Sequence, residues 1–324
     1  MLIVGGIPEN GKIGGVTIHV KRLTEGLKQL EYPFTVLDYK KVPFSKQLKL
    51  FIRNKAAHLH VSNPLLKVFY IVLGMITRTK IVMTIHGNLG QYKAFKNFLN
   101  KIAVKYCDIP VLINDKSYKK AIKWNKNARF IPAFIPPLNE TELPDNIKSI
   151  VSKYKQDGKK IVATNASSHA FNAFGDEIYG IDFLINFFSK KPEYVLLISD
   201  ASGQYKEYYQ TTPENVQIIS ERHSFYKLIL ESDMVIRNTV TDGDSLSVKE
   251  ALYAGKSMFV TDVVDRPAGT ILFHYNDSKS LIDAMENSKG KEMTSEFDNR
   301  CVEQLSAIYS ELEKINLKNK LSDK

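Results

Sequence analysis

Short apolar runs alternate with longer segments whose apolar residues recur at helical spacing, and this alternation continues along the whole chain. Continuous apolar runs are typical of strands buried on both faces, and intervening helices make such strands parallel. In the first half, strands are predicted over Leu2–Val4, Phe34–Leu37, Ala57–Val61, Lys80–Thr84, Ile109–Ile113 and Arg129–Ile131, and helices over Val16–Leu30, Pro64–Ile76 and Tyr92–Tyr106.

A proline-rich segment interrupts this pattern. Pro132, Pro136 and Pro137 cannot lie inside a helix or a central strand, so the segment is predicted to be a domain boundary. The pattern then restarts, with strands predicted over Lys160–Ala163, Tyr194–Ser199, Val216–Ile219, Met234–Arg237, Ser257–Thr261 and Thr270–Phe273, and helices over Ile178–Ser189, Phe225–Ser232, Ser247–Ala254, Ser280–Asn287 and Glu296 to about Lys314.

The predicted fold is therefore α/β, with two Rossmann-like, doubly wound domains over residues 1–140 and 141–324 that face each other across a cleft. The last helix is a candidate to pack back on the first domain. In such folds ligands bind at the carboxyl ends of the strands, so candidate chemistry is sought there.

Two candidates lie in the first half. Gly14 and Gly15 precede a predicted helix, where free N–H groups favour anions, although a tight turn alone also explains them. His86 follows the fourth predicted strand and is either a ligand-binding or a structural histidine.

The richest segment lies between Arg237 and Lys256. A strand ends near Arg237, an acidic loop follows, and a helix begins near Ser245, which is a candidate N-cap. Glu250 lies within the first turns of that helix and could accept hydrogen bonds from sugar hydroxyls. Alternatively, the aspartates of the loop only complement the helix dipole and Glu250 faces solvent.

Asp242 and Glu250 stand eight residues apart, the spacing of the E-x7-E motif of family-four (group 1) retaining glycosyltransferases, with Asp in place of the first Glu. The chain resembles this GT-B family, in particular the variant found in bacterial capsule and exopolysaccharide enzymes. The resemblance covers nearly the whole chain, because Gly14-Gly15, His86-Gly87, the proline-rich segment and Gly255-Lys256 occur in the family's order.

The resemblance implies a role for each matching residue. The first domain would bind the acceptor and the second the nucleotide sugar, with Glu250 on the ribose and Asp242 and His86 beside the donor sugar. The donor would also contact a larger set of residues, namely Gly14, Gly15, Asn165, Gly243, Asp244, Ser245 and Leu246. The resemblance implies no cofactor and no metal, although Asp242-Gly243-Asp244 has the form of an Asp-x-Asp motif.

The chain departs from the family where Arg and Lys usually meet the donor diphosphate, since residues 164–180 contain neither. A departing diphosphate gains negative charge, so another cation is expected at the site. Arg237 and Arg266 are the candidates, with Arg266 preferred because Pro267 follows it. A salt bridge from Arg266 to Asp262 or Asp265 is the alternative.

Charge is divided unevenly. Residues 1–140 hold 23 Lys or Arg against 7 Asp or Glu, whereas the remainder holds 22 against 28. Such asymmetry indicates an anionic partner, and an anionic membrane surface is favoured over nucleic acid because no nucleic-acid-binding motif appears. A basic surface that is only solvated is the alternative. The most apolar segment, Leu65–Thr77, is shorter than the ~20 residues of a membrane span, so a cytoplasmic protein, peripheral at the inner face of the plasma membrane, is expected.

These observations together predict a retaining glycosyltransferase. It would move a sugar from a nucleotide-diphosphate sugar to a lipid-linked or saccharide acceptor in surface polysaccharide biosynthesis. A nucleotide-sugar 2-epimerase and a non-catalytic GT-B partner subunit stay open as alternatives.

Overall fold

A computed structural model describes residues 1–6, 15–172, 174–242, 245–288 and 299–322, with side chains as far as residue 312. The chain divides into two compact units. The first comprises Met1–Leu138 and Asp298–Lys324, and the second comprises Asn139–Phe297. The division after Leu138 lies in the proline-rich segment.

The first unit is built on a six-stranded parallel sheet with the order β2-β1-β3-β4-β5-β6. Its strands are β1 (Leu2–Val4), β2 (Thr35–Leu37), β3 (Ala56–Leu59), β4 (Lys80–Ile85), β5 (Ile109–Leu112) and β6 (Arg129–Phe130). Its helices are α1 (Gly15–Gln29), α2 (Phe44–Arg53), α3 (Pro64–Thr77), α4 (Ala94–Tyr106), α5 (Asp115–Ala121) and the C-terminal helix (Cys301–Ser322).

Alternation along β1 supplies both faces of this sheet. Leu2 and Val4 join one apolar core, whereas Ile3 joins the other, because successive side chains of a strand point to opposite faces. The C-terminal helix belongs to the second of these cores. Gly26 of α1 permits its close approach, since a Cβ there would lie 2.7 Å from Val302.

The second unit repeats the plan with the sheet order β12-β11-β10-β7-β8-β9. Its strands are β7 (Lys160–Ala166), β8 (Tyr194–Asp200), β9 (Val216–Ile219), β10 (Met234–Arg237), β11 (Ser257–Thr261) and β12 (Ile271–Phe273). Its helices are α6 (Asp145–Gln156), α7 (Ile181–Ser189), α8 (Gln204–Tyr208), α9 (Phe225–Glu231), α10 (Leu246–Tyr253) and α11 (Ser278–Asn287). All strand pairs in both sheets are parallel.

The strand predictions match the observed strands closely, but four helices were not predicted: α2, α5, α6 and α8. Helices α5 and α8 have only 7 and 5 residues, too few to show an apolar period. Helices α2 and α6 are amphipathic, with Ile147, Val151 and Tyr154 of α6 buried at helical spacing, and could have been predicted. Helix α7 begins at Ile181 rather than at the predicted Ile178, because Gly180 at its N-cap adopts a left-handed conformation with φ of 52°.

Candidate functional site

The strand order of the second unit reverses between β7 and β10. Numbered within the unit, its strands run 3-2-1-4-5-6, the doubly wound order that binds ligands at the point of reversal. Asn165 lies near the carboxyl end of β7, and Arg237 ends β10. Arg237 Nη1 donates to Asn165 Oδ1 at 3.3 Å, so two residues predicted at the donor site meet across this reversal point.

Asp242 is clamped by two arginines. Arg237 Nε donates to Asp242 Oδ2 at 2.6 Å and Arg237 Nη2 to Oδ1 at 3.1 Å, a bidentate contact. Arg266 Nη1 donates to Asp242 Oδ2 at 2.7 Å. The side chains of Asp242, Arg237 and Arg266 are 6%, 11% and 3% exposed, so the three charges lie together in a largely buried cluster.

This cluster, hereafter the arginine–carboxylate cluster, carries one net positive charge, because two guanidinium groups face one carboxylate. Burial raises the pKa of Asp242, but the charges and hydrogen bonds of Arg237 and Arg266 outweigh burial and lower that pKa below its ordinary value. Asp242 is therefore ionised at neutral pH and holds both guanidinium groups in place.

The alternative expected for Arg266 was a salt bridge to Asp262 or Asp265. The salt bridge of Arg266 instead goes to Asp242, and Asp262 pairs with His274 at 2.7 Å. Arg266 also donates from Nε to the carbonyl of Thr261 at 2.8 Å and from Nη2 to its hydroxyl at 3.1 Å. The end of β11 thus fixes this arginine.

Helix α10 begins beside the cluster. Ser245 occupies the predicted N-cap position, but its side chain makes no capping hydrogen bond, and its hydroxyl lies 3.1 Å from that of Ser247. Leu246 is the first helical residue. Glu250 is only 4% exposed, which contradicts the alternative that it faces solvent. The predicted donor residues Gly243 and Asp244 lie outside the described residues.

A close contact between Gly180 and Asn238 shapes the same edge of the sheet. A Cβ on Gly180 would lie 2.1 Å from Asn238 Nδ2, so only glycine fits there. Asn238 Nδ2 donates to the Gly180 carbonyl at 3.0 Å and thereby ties the start of α7 to the residue after β10. Sequence reasoning did not identify this pair, since an isolated Asn and a Gly carry no spacing signal.

The corresponding edge of the first unit holds imidazoles. Its strand order changes direction between β1 and β3, and His58 and His60 lie in β3 and just after it. His86 follows β4, and His19 lies on α1. Ring centroids of His19, His60 and His86 are 4.9 to 5.2 Å apart, and His58 lies 4.0 Å from His60. These four residues form what we call the histidine cluster.

The four imidazoles form hydrogen bonds both within and beyond the cluster. His60 Nδ1 lies 2.9 Å from His86 Nε2, and His19 Nδ1 donates to the Ala133 carbonyl at 3.0 Å. Burial, with charge repulsion from neighbouring imidazoles, lowers the pKa of His60 and His86 well below the ordinary value. His86 is thus neutral at pH 7. Gly15 begins α1, and the predicted Gly14 lies outside the described residues.

Lys67 on α3 is a buried cation that no motif revealed. It is 4% exposed and donates from Nζ to Asn100 Oδ1 at 3.0 Å. Burial lowers its pKa from 10.5 to about 8, and its charge contributes to the lowered pKa of His86. The available signal was a single lysine inside the most apolar helix of the chain, which marks either a helix end or a buried polar contact.

No protein-family model matches this chain, and no curated protein matches its sequence. Solved structures do resemble it. HepE of Anabaena in complex with UDP-glucose has a TM-score of 0.65 at 15% identity over 100% of this chain and 99% of that chain. A glycosyltransferase from Rickettsia africae has a TM-score of 0.62 at 16% identity over 97% of this chain and 98% of that chain. Sucrose-phosphate synthase from Thermosynechococcus elongatus has a TM-score of 0.62 at 12% identity over 99% of both chains.

These likenesses concern the fold. They cover both units, and each unit carries the parallel, doubly wound sheet that the sequence predicted. The chain therefore has the GT-B fold.

Proposed function

We propose that this protein is a glycosyltransferase that takes its sugar from a nucleotide-diphosphate sugar. The observation that carries the proposal is the arginine–carboxylate cluster at the reversal point of the second sheet, where doubly wound folds bind ligands. The same fold occurs in HepE, which was solved in complex with UDP-glucose.

In this proposal Arg237 meets the donor diphosphate. It is the more exposed of the two arginines, and its bonds to Asp242 and Asn165 leave N–H groups on Nη1 and Nη2 for a phosphate oxygen. Arg266 is more deeply buried and acts by holding Asp242, which in turn orients Arg237. The sequence favoured Arg266 as the cation at the donor diphosphate, whereas this proposal gives that role to Arg237.

Glu250 would bind the ribose and neutral His86 the donor sugar, as the family resemblance implies. A guanidinium group already held in position stabilises the charge that develops on the departing diphosphate without reorganisation during the reaction. Retention of anomeric configuration, a lipid-linked or saccharide acceptor and a place in surface polysaccharide synthesis complete the proposal. They rest on the resemblance around Asp242 and Glu250.

The decisive experiment combines ligand binding with turnover. UDP and a panel of nucleotide sugars should raise the melting temperature of the protein, because they bind the native state. Arg237→Ala should weaken UDP binding by about 10- to 100-fold, the loss of one charge-assisted contact. Arg266→Ala should weaken it less. Lys256→Ala, whose Nζ bonds the Leu230 carbonyl at an exposed site, is a matched control.

Turnover separates the alternatives. Release of nucleoside diphosphate together with a glycosylated acceptor supports the transferase. Conversion of the donor into its 2-epimer, with no acceptor product, indicates the epimerase. Donor binding without either product indicates the non-catalytic subunit, and equal UDP affinity in the wild type and Arg237→Ala would remove the cluster from the donor site.

A second part of the proposal concerns the membrane. Phe44 of α2 and Phe69 of α3 are 54% and 41% exposed, and their ring centroids lie 5.8 Å apart. Further exposed apolar side chains on the same two helices are Ile52, Leu65, Val72, Met75 and Ile76. Exposed cations accompany them, namely Lys40, Lys41, Lys46, Lys49, Arg53 and Lys55.

Apolar side chains bordered by cations suit an anionic lipid surface. The apolar side chains can insert at the boundary between headgroups and acyl chains, and the cations are attracted to the anionic headgroups. We assign α2 and α3 as the surface that brings the protein to a lipid-linked acceptor. Across the part of the chain that the structure describes, no helix is long and apolar enough to span a bilayer.

Cosedimentation with phosphatidylserine-containing vesicles tests this assignment. Each cation near the surface contributes about 1 kcal/mol, so Lys46→Glu with Lys49→Glu should reduce binding strongly, and added salt should reduce binding of the wild type. Phe69→Ser should reduce binding at every salt concentration. Equal binding of wild type to neutral and anionic vesicles would contradict the electrostatic part.

A further inference from the structure

Three histidines of the histidine cluster come from separate elements and converge. One ring nitrogen from each of His19, His60 and His86 lies within 4.8 Å of those from the other two. Helix α1, the end of β3 and the end of β4 supply them, so rigid elements of the fold fix their positions. Such an arrangement goes beyond the proposed sugar transfer, in which only His86 takes part.

The orientation of His19 suits a metal ligand. Its Nδ1 lies 3.0 Å from the Ala133 carbonyl oxygen, which can only accept, so Nδ1 carries the hydrogen. In the neutral ring Nε2 then carries the lone pair. Histidines that bind metals commonly donate their other ring N–H to a backbone carbonyl in this way, which fixes both the tautomer and the ring plane.

His60 supplies the second observation. Its side chain is 1% exposed, and its Nε2 is buried with no hydrogen-bond partner among the residues that the structure describes. Its Nδ1 faces His86 Nε2 at 2.9 Å. Burying a polar atom without a hydrogen-bond partner is unfavourable, and a cation bound at His60 Nε2 would provide the partner that this atom lacks.

His58 differs from these three, although its ring is the nearest to His60. Its Nε2 lies 2.8 Å from the Thr84 hydroxyl, and its Nδ1 bonds the Tyr309 hydroxyl. Both nitrogens are thus engaged in the core of the unit. His58 therefore serves as an internal comparison: a buried imidazole of the same cluster that has no nitrogen to offer a metal.

We propose that His19, His60 and His86 bind one divalent transition ion of the zinc class. Imidazole nitrogens suit zinc, copper and nickel. Zinc–nitrogen distances of about 2.0–2.1 Å place tetrahedral ligand nitrogens about 3.3 Å apart, so the rings need shifts on the order of 1 Å. Three protein ligands leave the fourth position open to water or substrate, and the partly exposed His86 lies on the accessible side.

The test uses the full chain without a polyhistidine tag, freed of metal by a chelator that is then removed. Titration with Co²⁺ should give saturable ligand-field absorption in the visible at one ion per chain, and Zn²⁺ should displace it. His60→Gln and His86→Gln should each weaken Zn²⁺ binding about 10-fold or more, measured by competition with a chromophoric chelator.

His58→Gln and the exposed His274→Gln are the controls, and both should retain the affinity of the wild type. Melting temperatures without metal identify any variant that fails to fold. If His60→Gln unfolds, the Zn²⁺ affinity of His86→Gln alone decides the outcome, because His86 is less buried and its replacement disturbs the fold less. Binding that does not saturate at one ion, or that is equal in wild type and His86→Gln, would overturn the proposal. No donor or acceptor is present, so this outcome is independent of the proposed transferase activity.

Discussion

The two units place opposite chemistry at the same point of similar sheets. In the first unit the carboxyl ends of β3 and β4 hold buried imidazoles, and in the second the ends of β7 and β10 hold a buried ion cluster. Both positions lie at or next to the place where the strand order reverses. Topology therefore decides where each site lies, whereas the residues at the strand ends decide what it binds.

The net charge of each half of the sequence differs from the charge of the site that this half contains. The basic half of the sequence exposes the cations of helix α2, buries Arg22 and Lys67, and holds imidazoles at the strand ends. The acidic half holds the arginine–carboxylate cluster at its strand ends. Net charge per half thus indicates surface partners, and the charge of a site depends on a few side chains that contribute little to the total.

The largest expected effect concerns the ion cluster. Asp242→Ala would remove the carboxylate that Arg237 and Arg266 share, and breaking such a buried pair costs about 3–5 kcal/mol. Urea unfolding should show a loss of this size. Asp262→Ala is the control, because its partner His274 is 69% exposed and the expected loss stays below about 1 kcal/mol. Equal losses would mean that the cluster contributes no more than a surface pair.

The same carboxylate predicts a dependence on acidic pH. The folded pKa of Asp242 lies below its unfolded value of 3.8, so its contribution is complete above that value and is lost as pH falls through the folded pKa. Stability of the wild type should decline more steeply below pH 4 than that of Asp242→Asn. Parallel acid unfolding curves would contradict the lowered pKa.

Lys67 offers the corresponding test in the first unit. Its folded pKa of about 8 lies below the unfolded 10.5, so the unfolded chain binds more protons between these values and stability rises with pH across that window. The gain should be about 3 kcal/mol in wild type and absent in Lys67→Met. The half-exposed Lys80, replaced by Met, should leave the gain intact.

The smallest expected effect is on donor affinity. Glu250→Gln keeps the volume of the buried side chain but removes its charge, and the charge-assisted bond that we propose between Glu250 and the ribose would contribute about 1.5–3 kcal/mol. UDP affinity should therefore fall about 10- to 100-fold with little change in melting temperature. A loss of stability with unchanged UDP affinity would assign Glu250 a structural role.

The succession of strands and helices could be predicted because the burial of an element requires a pattern of apolar residues within its own sequence. A run such as Val195–Ile198 in β8 is continuously apolar since both faces of a parallel sheet are covered. The five residues of α8 are too few to show such a pattern, whereas α6 carries Ile147, Val151 and Tyr154 at helical spacing and could have been predicted. The acidic loop after Arg237 and the N-cap candidate Ser245 likewise indicated the helix start. The spacing of Asp242 and Glu250 indicated a candidate donor site through the family resemblance, because both residues belong to one loop and the helix that follows.

Sequence by itself thus determined the α/β plan, the break in the proline-rich segment and the segments where chemistry gathers. Only the tertiary structure decided which of these residues meet. Arg266 reaches Asp242 because β11 lies beside β10, and His19 reaches His60 and His86 because α1 packs near the ends of β3 and β4. Local periodicity records which side of an element is buried, but strand order and register determine its neighbours, and these arise from contacts between residues far apart in the chain.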